Sequence, residues 1–259
     1  MKIATWNINE CVGITCDLDN QKTTDIINIK NIEEIINKIN EYDFDIICFQ
    51  EYPTYINAQV SLTNEILNKT SLKYYAEKDT YDSYLFNGGR VGVSIFSKYK
   101  ILDTYYTLFN NPHMIKKSSS GNVYYSFDKG IIKTIIRIDN INYTIITGHA
   151  MAFAPFDKTE FDYPDSYKPL EELIETYTND NLIVLGDFNT EKLFQIIPAI
   201  KGKVVDVING PTTKDYYEKR GEVHMDYIMV NSQIKSSCVY KIDNFSDHYI
   251  MCADISKDM

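Results

Sequence analysis

The sequence lacks the features of an exported or membrane protein. No apolar run approaches the roughly 18 to 20 residues that a membrane-spanning helix requires. The start, Met1-Lys2-Ile3-Ala4, has no basic stretch, apolar stretch and small-residue cleavage site of the kind that forms a signal peptide. The five cysteines show no paired zinc-finger spacing, and a disulfide framework is not expected in a chain of this size. We therefore expect a cytoplasmic protein without a membrane span.

Positive charge is scarce as well, with 26 Lys and Arg residues against 36 Asp and Glu residues and a net charge of −10. Non-specific nucleic-acid binding depends on Lys and Arg side chains that neutralise phosphates, so this balance argues against a broad basic surface. A nucleic-acid substrate stays open, because a bound cation can supply positive charge where a phosphate sits. The 21 tyrosines could stack on bases, but Ile, Asn and Lys are abundant too, so we interpret most tyrosines as packing residues.

No repeat, low-complexity segment or linker divides the chain, which predicts a single domain over residues 1–259. Isoleucines at helical spacing predict an amphipathic helix over residues 24–40. A second helix is expected after Asp165 or Ser166, either of which can cap it. Apolar and β-branched runs predict strands at residues 2–8, 44–50, 91–97, 131–138, 143–147, 182–185, 225–230, 237–242 and 249–255.

The predicted strands outnumber the helices, and several follow one another without a helix between them. This order favours antiparallel sheets with helices on their outer faces, an α+β arrangement. Two long stretches, residues 110–122 and 150–165, are expected to be irregular. Loops of this length in a compact domain are usually functional or mobile.

Polar side chains follow four of the apolar strands. Asn7 follows the first strand, Glu51 the second, His149 the strand at residues 143–147, and Asp187 the strand at residues 182–185. We expect these groups along one rim of a sheet, where carboxylate and amide oxygens suit Mg²⁺, Mn²⁺ or Ca²⁺. Taken singly, each has an ordinary structural interpretation as a turn residue, helix cap or hydrogen-bonding partner. The joint pattern favours a site.

Two short segments supply further candidates. In extended chain, Asp187 and Asn189 would point to one face while Phe188 points into the core. Asp247 and His248 are adjacent, so both can reach one site only from a turn before the strand at residues 249–255. Other chemistries find no support: no Gly-x-Ser-x-Gly elbow occurs, and the glycine-rich residues 88–92 lack the Lys-Ser/Thr ending of a phosphate loop.

A set of short motifs resembles the series of the endonuclease/exonuclease/phosphatase superfamily in identity and order. The motifs are Thr5-Trp6-Asn7, Phe49-Gln50-Glu51, Gly186-Asp187-Phe188-Asn189, Asp226-Tyr227-Ile228 and Ser246-Asp247-His248. The resemblance implies a DNase I-like fold, a four-layer α/β sandwich in which two mainly antiparallel β-sheets lie face to face between helices. It also implies a hydrolase of phosphate esters that uses Mg²⁺ or Mn²⁺.

The resemblance further implies a role for each matched residue. Glu51 resembles the principal metal ligand, with Asn7 close by and Asp247 as a further acid near the metal. Asp187 and Asn189 resemble the pair that positions the attacking water and contacts the phosphate. The remaining matches are His248, which resembles the histidine that contacts the phosphate, Asp226, which would accept its ring N–H, and His149, which resembles a second histidine of the DNase I-like and phosphatase branches.

Departures from the family pattern reduce the range of substrates that we expect. His149 stands where abasic-site endonucleases carry a Tyr-x-Pro-Asn segment, and Thr190 stands where inositol-polyphosphate 5-phosphatases carry Arg. We expect a nuclease-like phosphodiesterase, an endonuclease, exonuclease or DNA-repair type, with DNA as partner and a monomer by default. A phosphatase or phosphodiesterase for a small ester or lipid headgroup, and an inactive binding module, are the alternatives. The best local groups for a phosphate backbone are Lys116, Lys117, Lys214, Lys219 and Arg220.

Overall fold

The computed structural model describes residues 1–12, 29–83, 85, 87–118, 121–215 and 221–257. Three features from the sequence lie outside these residues, namely the first part of the predicted helix at residues 24–28, Cys16, and the basic pair Lys219 and Arg220. Within the described part of the chain, no helix combines the length and the apolar character that crossing a bilayer requires.

The first sheet has six strands within the described residues. In spatial order they are β13 (Ile234–Ile242), β14 (Ile250–Lys257), β1 (Lys2–Asn7), β2 (Ile46–Tyr55), β4 (Arg90–Ser97) and β3 (Tyr74–Asp82). β1 and β2 are parallel, and the other neighbours are antiparallel. The parallel pair places the carboxyl ends of β1 and β2 side by side, with Asn7 opposite Gln50.

The second sheet repeats this arrangement with six strands among the described residues. They are β11 (Val205–Asp206), β12 (Asp226–Val230), β10 (Asn181–Asp187), β9 (Ile141–His149), β8 (Gly130–Ile138) and β5 (Ile101–Leu108). Only β9 and β10 are parallel in it, which places His149 opposite Asp187. A separate two-stranded β6–β7 ribbon is formed by β6 (Ile115–Lys117) and β7 (Val123–Tyr125).

Helices cover the outer face of each sheet. They are α1 (Ile29–Tyr42), α2 (Leu62–Lys69), α3 (Lys168–Tyr177) and α4 (Leu193–Ile196). α1 and α2 pack on the first sheet because their buried isoleucines contact Trp6 and Phe49, while α3 and α4 pack on the second sheet against Val184 and Phe188. The expected cap of α3 was wrong: a 3₁₀ turn, Pro164–Tyr167, runs directly into the helix, and no side chain caps it.

A third apolar layer lies between the sheets and joins them. Ile3 and Cys48 of the first sheet belong to one cluster with Ile145, Ile183 and Ile228 of the second. Because side chains alternate along a strand, the neighbours Ala4 and Val184 face the helices instead. The layers are therefore helix, sheet, sheet and helix, which confirms the predicted α+β sandwich.

Candidate active site

Side chains alternate between the two faces of each strand. This alternation builds the apolar core between the sheets, and at one end of that core it places polar side chains. In β10, Ile183 and Leu185 face the other sheet, so Asp187 faces it too. The same alternation along β1 directs Asn7 toward the second sheet, where its Nδ2 donates to Asp187 Oδ2 at 2.9 Å. The groups were expected along one rim of one sheet. They instead come from the ends of two facing sheets, because parallel strands end together in each.

Glu51 enters the site through an irregularity in β2. Phe49 pairs with Ser94 and Tyr52 with Gly92, so β2 carries one extra residue there, a β-bulge. Glu51 has φ 48°, a conformation that non-glycine residues seldom adopt. In a regular strand Glu51 would face away from Gln50, but at the bulge its Oε1 lies 3.8 Å from His149 Nε2.

Asp187 is fixed by hydrogen bonds to both carboxylate oxygens. Oδ1 accepts from the Asn189 backbone N–H at 2.9 Å, and Oδ2 accepts from Asn7. Asn189 does not continue the extended chain that alternation predicts, because its φ is 51° and its Nδ2 donates to the Ala150 carbonyl at 3.0 Å. Phe188 points into the core beneath α4 as expected. Burial raises the pKa of Asp187, and the neighbouring His248 opposes that rise.

His248 lies in the turn that precedes β14, held against the end of β1. Ser246 Oγ donates to the Asn7 carbonyl at 2.7 Å and accepts from the His248 backbone N–H at 3.3 Å. His248 Nδ1 lies 2.8 Å from Asp226 Oδ2, and Nε2 lies 3.7 Å from Asp187 Oδ2. Burial alone would lower the pKa of His248, but the Asp226 and Asp187 carboxylates raise it well above its usual value.

His149 lies beside the same oxygen of Asp187 as His248. Its Nε2 is 3.6 Å from Asp187 Oδ2, and its Nδ1 is 3.3 Å from Lys129 Nζ. Lys129 has only N–H donors, so Nδ1 accepts and the ring proton lies on Nε2, facing the acids. Burial, then Lys129 and His248, lower the pKa of His149 well below its usual value. The ring is therefore neutral at neutral pH.

Two site residues, Lys129 and Glu10, were not predicted from the sequence. Lys129 precedes β8, which pairs antiparallel with β9, so the start of β8 lies beside the end of β9 at His149. That placement could have been read from the predicted hairpin. Glu10 lies in a strained turn after β1 with φ 51°, is buried, and accepts a hydrogen bond from Ser83 Oγ. Burial and the nearby Glu51 raise the pKa of Glu10 to about 8.

The remaining predicted groups lie around the site or away from it. Asp247 is adjacent to His248, and its carboxylate contributes to the raised pKa of Glu51, for which burial is the largest cause. Lys214 contacts this turn, since its backbone N–H donates to the Asp247 carbonyl at 2.7 Å, but its Nζ forms an ion pair with Asp243 at 2.6 Å. Lys116 and Lys117 lie on the β6–β7 ribbon.

The donor set fits a divalent cation. Carboxylates of Glu51, Asp187, Asp226 and Asp247 converge here with histidine and amide groups, and buried Asp226 Oδ1 has no hydrogen-bond partner. Asp187, Asp226 and His248 form a group that could hold a metal ion, because their ligand atoms all lie within 4.8 Å of one another. Among the described residues, this is the one group of at least three His, Cys, Asp or Glu side chains that is so close together. Hard oxygen donors of this kind are those that Mg²⁺ and Mn²⁺ prefer.

Comparison with known proteins agrees with this geometry. A family described as the Endonuclease/Exonuclease/phosphatase family matches residues 4–248. The chain belongs to this family. Members of the endonuclease/exonuclease/phosphatase superfamily are hydrolytic phosphoesterases. A comparison with curated protein sequences finds no match.

Solved structures share the fold of this family member at low sequence identity. An endonuclease/exonuclease/phosphatase from Beutenbergia cavernae has TM-score 0.70 at 13% identity, over 99% of this chain and 71% of that one. A mannosyl-6-phosphatase from Bacteroides thetaiotaomicron has TM-score 0.66 at 15% identity, over 99% of both chains. The human Nocturnin catalytic domain with bound sulfate has TM-score 0.65 at 16% identity, over 100% and 93%. These likenesses show the DNase I-like fold.

Proposed function

We propose that this protein is a divalent-metal-dependent phosphodiesterase, with DNA as the first candidate substrate. One observation carries the proposal: hydrogen bonds join Asn7 to Asp187 across the two sheets, and Asp226 to His248 beside them. Together with Glu51, these groups place acids, an imidazolium and a neutral imidazole around one point. Hydrolysis of a phosphate ester requires this combination, because it must bind a cation, orient water and stabilise charge on phosphoryl oxygens.

Glu51, Asp247 and Asn7 would hold the metal ion. The carboxylate of Asp247 raises the pKa of Glu51 in addition to burial, because two negative charges repel each other. A cation between them would remove that repulsion, and the Asn7 amide already lies beside Asp187. The bound ion would supply a Lewis acid for one phosphoryl oxygen. We assign His248 to the phosphate instead, with Asp226 as the acceptor of its ring N–H, because these two side chains already bond to each other.

The residues around the metal position would orient the attacking water and donate hydrogen bonds to the phosphate. Asp187, with both oxygens oriented by hydrogen bonds, would position the attacking water together with Asn189. His248 would remain protonated and donate a charge-assisted hydrogen bond from Nε2 to a phosphoryl oxygen, since Asp226 holds Nδ1. Neutral His149 would donate a second hydrogen bond from its Nε2–H.

A small phosphate ester is the second candidate substrate. The net charge of −10 disfavours a long polyanion, and one solved structure with this fold is a mannosyl-6-phosphatase. The experiment that separates the candidates compares plasmid nicking with phosphate release from a panel of small esters, each assayed with Mg²⁺ and with Mn²⁺. Nicking supports the DNA phosphodiesterase, while phosphate release without nicking supports the second candidate.

The catalytic assignment is tested in the same assay with Asp187→Ala and His248→Ala. Each variant should lose about 10²- to 10³-fold in rate, the typical cost of one preorganised electrostatic contact. Asp165→Ala, which removes an exposed carboxylate from the turn before α3, is the matched control and should keep the wild-type rate. Wild-type rates for Asp187→Ala and His248→Ala would refute the assignment.

A further inference from the structure

The two histidines of the candidate site have partners of opposite charge at Nδ1. Both rings turn Nε2 toward Asp187 Oδ2, at 3.7 Å for His248 and 3.6 Å for His149. Nδ1 of His248 lies 2.8 Å from the Asp226 carboxylate. Nδ1 of His149 lies 3.3 Å from Lys129 Nζ instead. A carboxylate accepts a ring N–H, whereas an ammonium group donates to a ring lone pair, so the two rings are held in different states.

Lys129 approaches His149 from a fixed position. Its side chain is buried, and Nζ lies 4.5 Å from the centroid of the Tyr81 ring and donates to the Tyr81 hydroxyl at 3.4 Å. Tyr81 is buried as well and stacks on Phe127 with ring centroids 4.9 Å apart. An aromatic face attracts a cation more strongly where water is excluded. These contacts hold the ammonium group beside Nδ1.

The surroundings of Lys129 also favour its role as a donor. A buried ammonium group needs nearby negative charge, and three acids of the site supply it, Glu51, Asp187 and Glu10. An ammonium group has three N–H donors and no acceptor, so Lys129 can only donate to His149. A neutral amine at this position could accept the Nδ1 proton instead, and Nε2 would then carry no hydrogen.

We propose that Lys129 is a positioning residue for phosphate-ester hydrolysis, which acts by holding the His149 ring with its Nε2–H directed at the phosphate. This inference rests on the proposed function and adds to it a residue that acts through His149. Without a donor at Nδ1, the ring could carry its proton there or turn about its Cβ–Cγ bond. In both cases the substrate would lose a correctly placed donor, because the function of a histidine depends on its tautomer and orientation.

Long-range ¹H–¹⁵N NMR of the histidine rings tests the inference on the metal-free protein. The chain has four histidines, so a His149→Gln sample identifies the signals of this ring by their loss. At neutral pH we expect wild-type His149 to have an unprotonated Nδ1 and a protonated Nε2. Lys129→Met should place a proton on Nδ1, because the cation that opposes it is gone. Lys129→Arg keeps a charged donor and should retain the wild-type signals.

Hydrolysis of bis(p-nitrophenyl) phosphate with Mn²⁺ tests whether Lys129 acts through His149. Lys129→Met should lower kcat by about tenfold or more, since one preorganised donor is misplaced. In the His149→Gln background the same change should have little further effect, because residues that act as a unit are not additive. Lys133→Met is the matched control and should keep the wild-type kcat and histidine signals. Lys133 is also buried, and its Nζ lies 5.0 Å from the Tyr177 ring centroid, away from the site.

Three results would overturn the inference. These are a protonated Nδ1 in wild-type His149, unchanged His149 signals in Lys129→Met, and rate losses that multiply when both residues are changed. If Lys129→Met does not fold, the tautomer of the wild type decides the question alone. An absence of ester hydrolysis by the wild type, together with the expected histidine signals, would refute the proposed function and leave the positioning of His149 by Lys129 standing.

Discussion

Several buried ionisable side chains lie close together in the candidate site, and they shift one another's pKa values. Glu51 raises the pKa of Glu10 beyond the effect of burial, while Lys129 lowers the pKa of both acids. Burial in turn lowers the pKa of Lys129, and these acids oppose that shift. A buried charge is costly unless it is paired, so the site is destabilising for the fold in the absence of a cation. Such perturbed groups gathered in one place are typical of functional sites.

Glu10→Gln should remove a pH-dependent loss of stability. On folding, the pKa of Glu10 rises from 4.5 to about 8, chiefly through burial. Between these values the unfolded chain ionises and the folded chain does not, so wild-type stability falls as pH rises through this window. Glutamine resembles the protonated acid and does not ionise. The variant should therefore match the wild type near pH 4.5 and exceed it above pH 8.

Urea unfolding in EDTA at several pH values measures this difference. Glu33→Gln, which changes an exposed glutamate of α1, is the control and should give the same difference from the wild type at every pH. If the stability of Glu10→Gln relative to the wild type does not increase with pH, then Glu10 is ionised in the folded protein at neutral pH.

At the scale of the element, the junction of β9 and β10 depends on Gly186. Its φ is +150°, and a Cβ there would lie 2.2 Å from the Gly148 carbonyl oxygen. Gly186 is paired with Gly148 across the parallel strands, one residue before His149 lies opposite Asp187. The absence of a side chain thus lets the two backbones approach closely where the catalytic candidates begin.

Gly186→Ala should destabilise the protein and lower its activity together. The overlap with backbone and the strained φ should cost about 3 kcal/mol, which corresponds to a fall in Tm of about 6 to 12 °C. Gly202→Ala is the matched control, because Gly202 also has positive φ, +85°, but a Cβ there meets nothing within 4 Å. It should cost only about 1 kcal/mol. Equal Tm values for the two variants, measured by calorimetry, would contradict this account.

The sequence predicted the central elements and missed several edge elements for a physical reason. β1 and β10 are buried on both faces and read as apolar runs. β3 and β5 lie at sheet edges, where exposed tyrosines and charges interrupt the apolar pattern, and neither was predicted. The stretch at residues 110–122, expected to be irregular, contains β6. Its partner β7 lies beyond that stretch, and short ribbons carry little periodicity.

The candidate site was predicted in the same uneven way. Asn7 and Asp187 could be predicted because each ends a strand that the sequence marks by an apolar run. The alternation of side chains along the strand then determines which face each one points to. The position of Glu51 was predicted, but its bulge was not, since a bulge depends on pairing with β4. Glu10 was missed because it comes from a strained turn, and Lys129 because its place follows from the β8–β9 pairing.

At the scale of the whole molecule, two sheets with parallel central strands meet at one end and bring their polar residues together. Asn7 comes from the first sheet and Asp187 from the second, and the bond between them spans 180 residues of sequence. The protein also carries a net charge of −10, and this end gathers several of its acids. A negative substrate can approach only if a cation offsets that charge, so metal binding and substrate binding should be coupled.

Metal-dependent hydrolysis of bis(p-nitrophenyl) phosphate tests the central claim most directly. The rate is measured after EDTA treatment and during titration with Mn²⁺, for the wild type and for Glu51→Gln. The account predicts no hydrolysis in EDTA, recovery with Mn²⁺, and a Mn²⁺ midpoint at least about tenfold higher for Glu51→Gln, because a carboxylate ligand becomes an amide. Hydrolysis that persists in EDTA, or the same Mn²⁺ midpoint for both proteins, would contradict a metal held by Glu51.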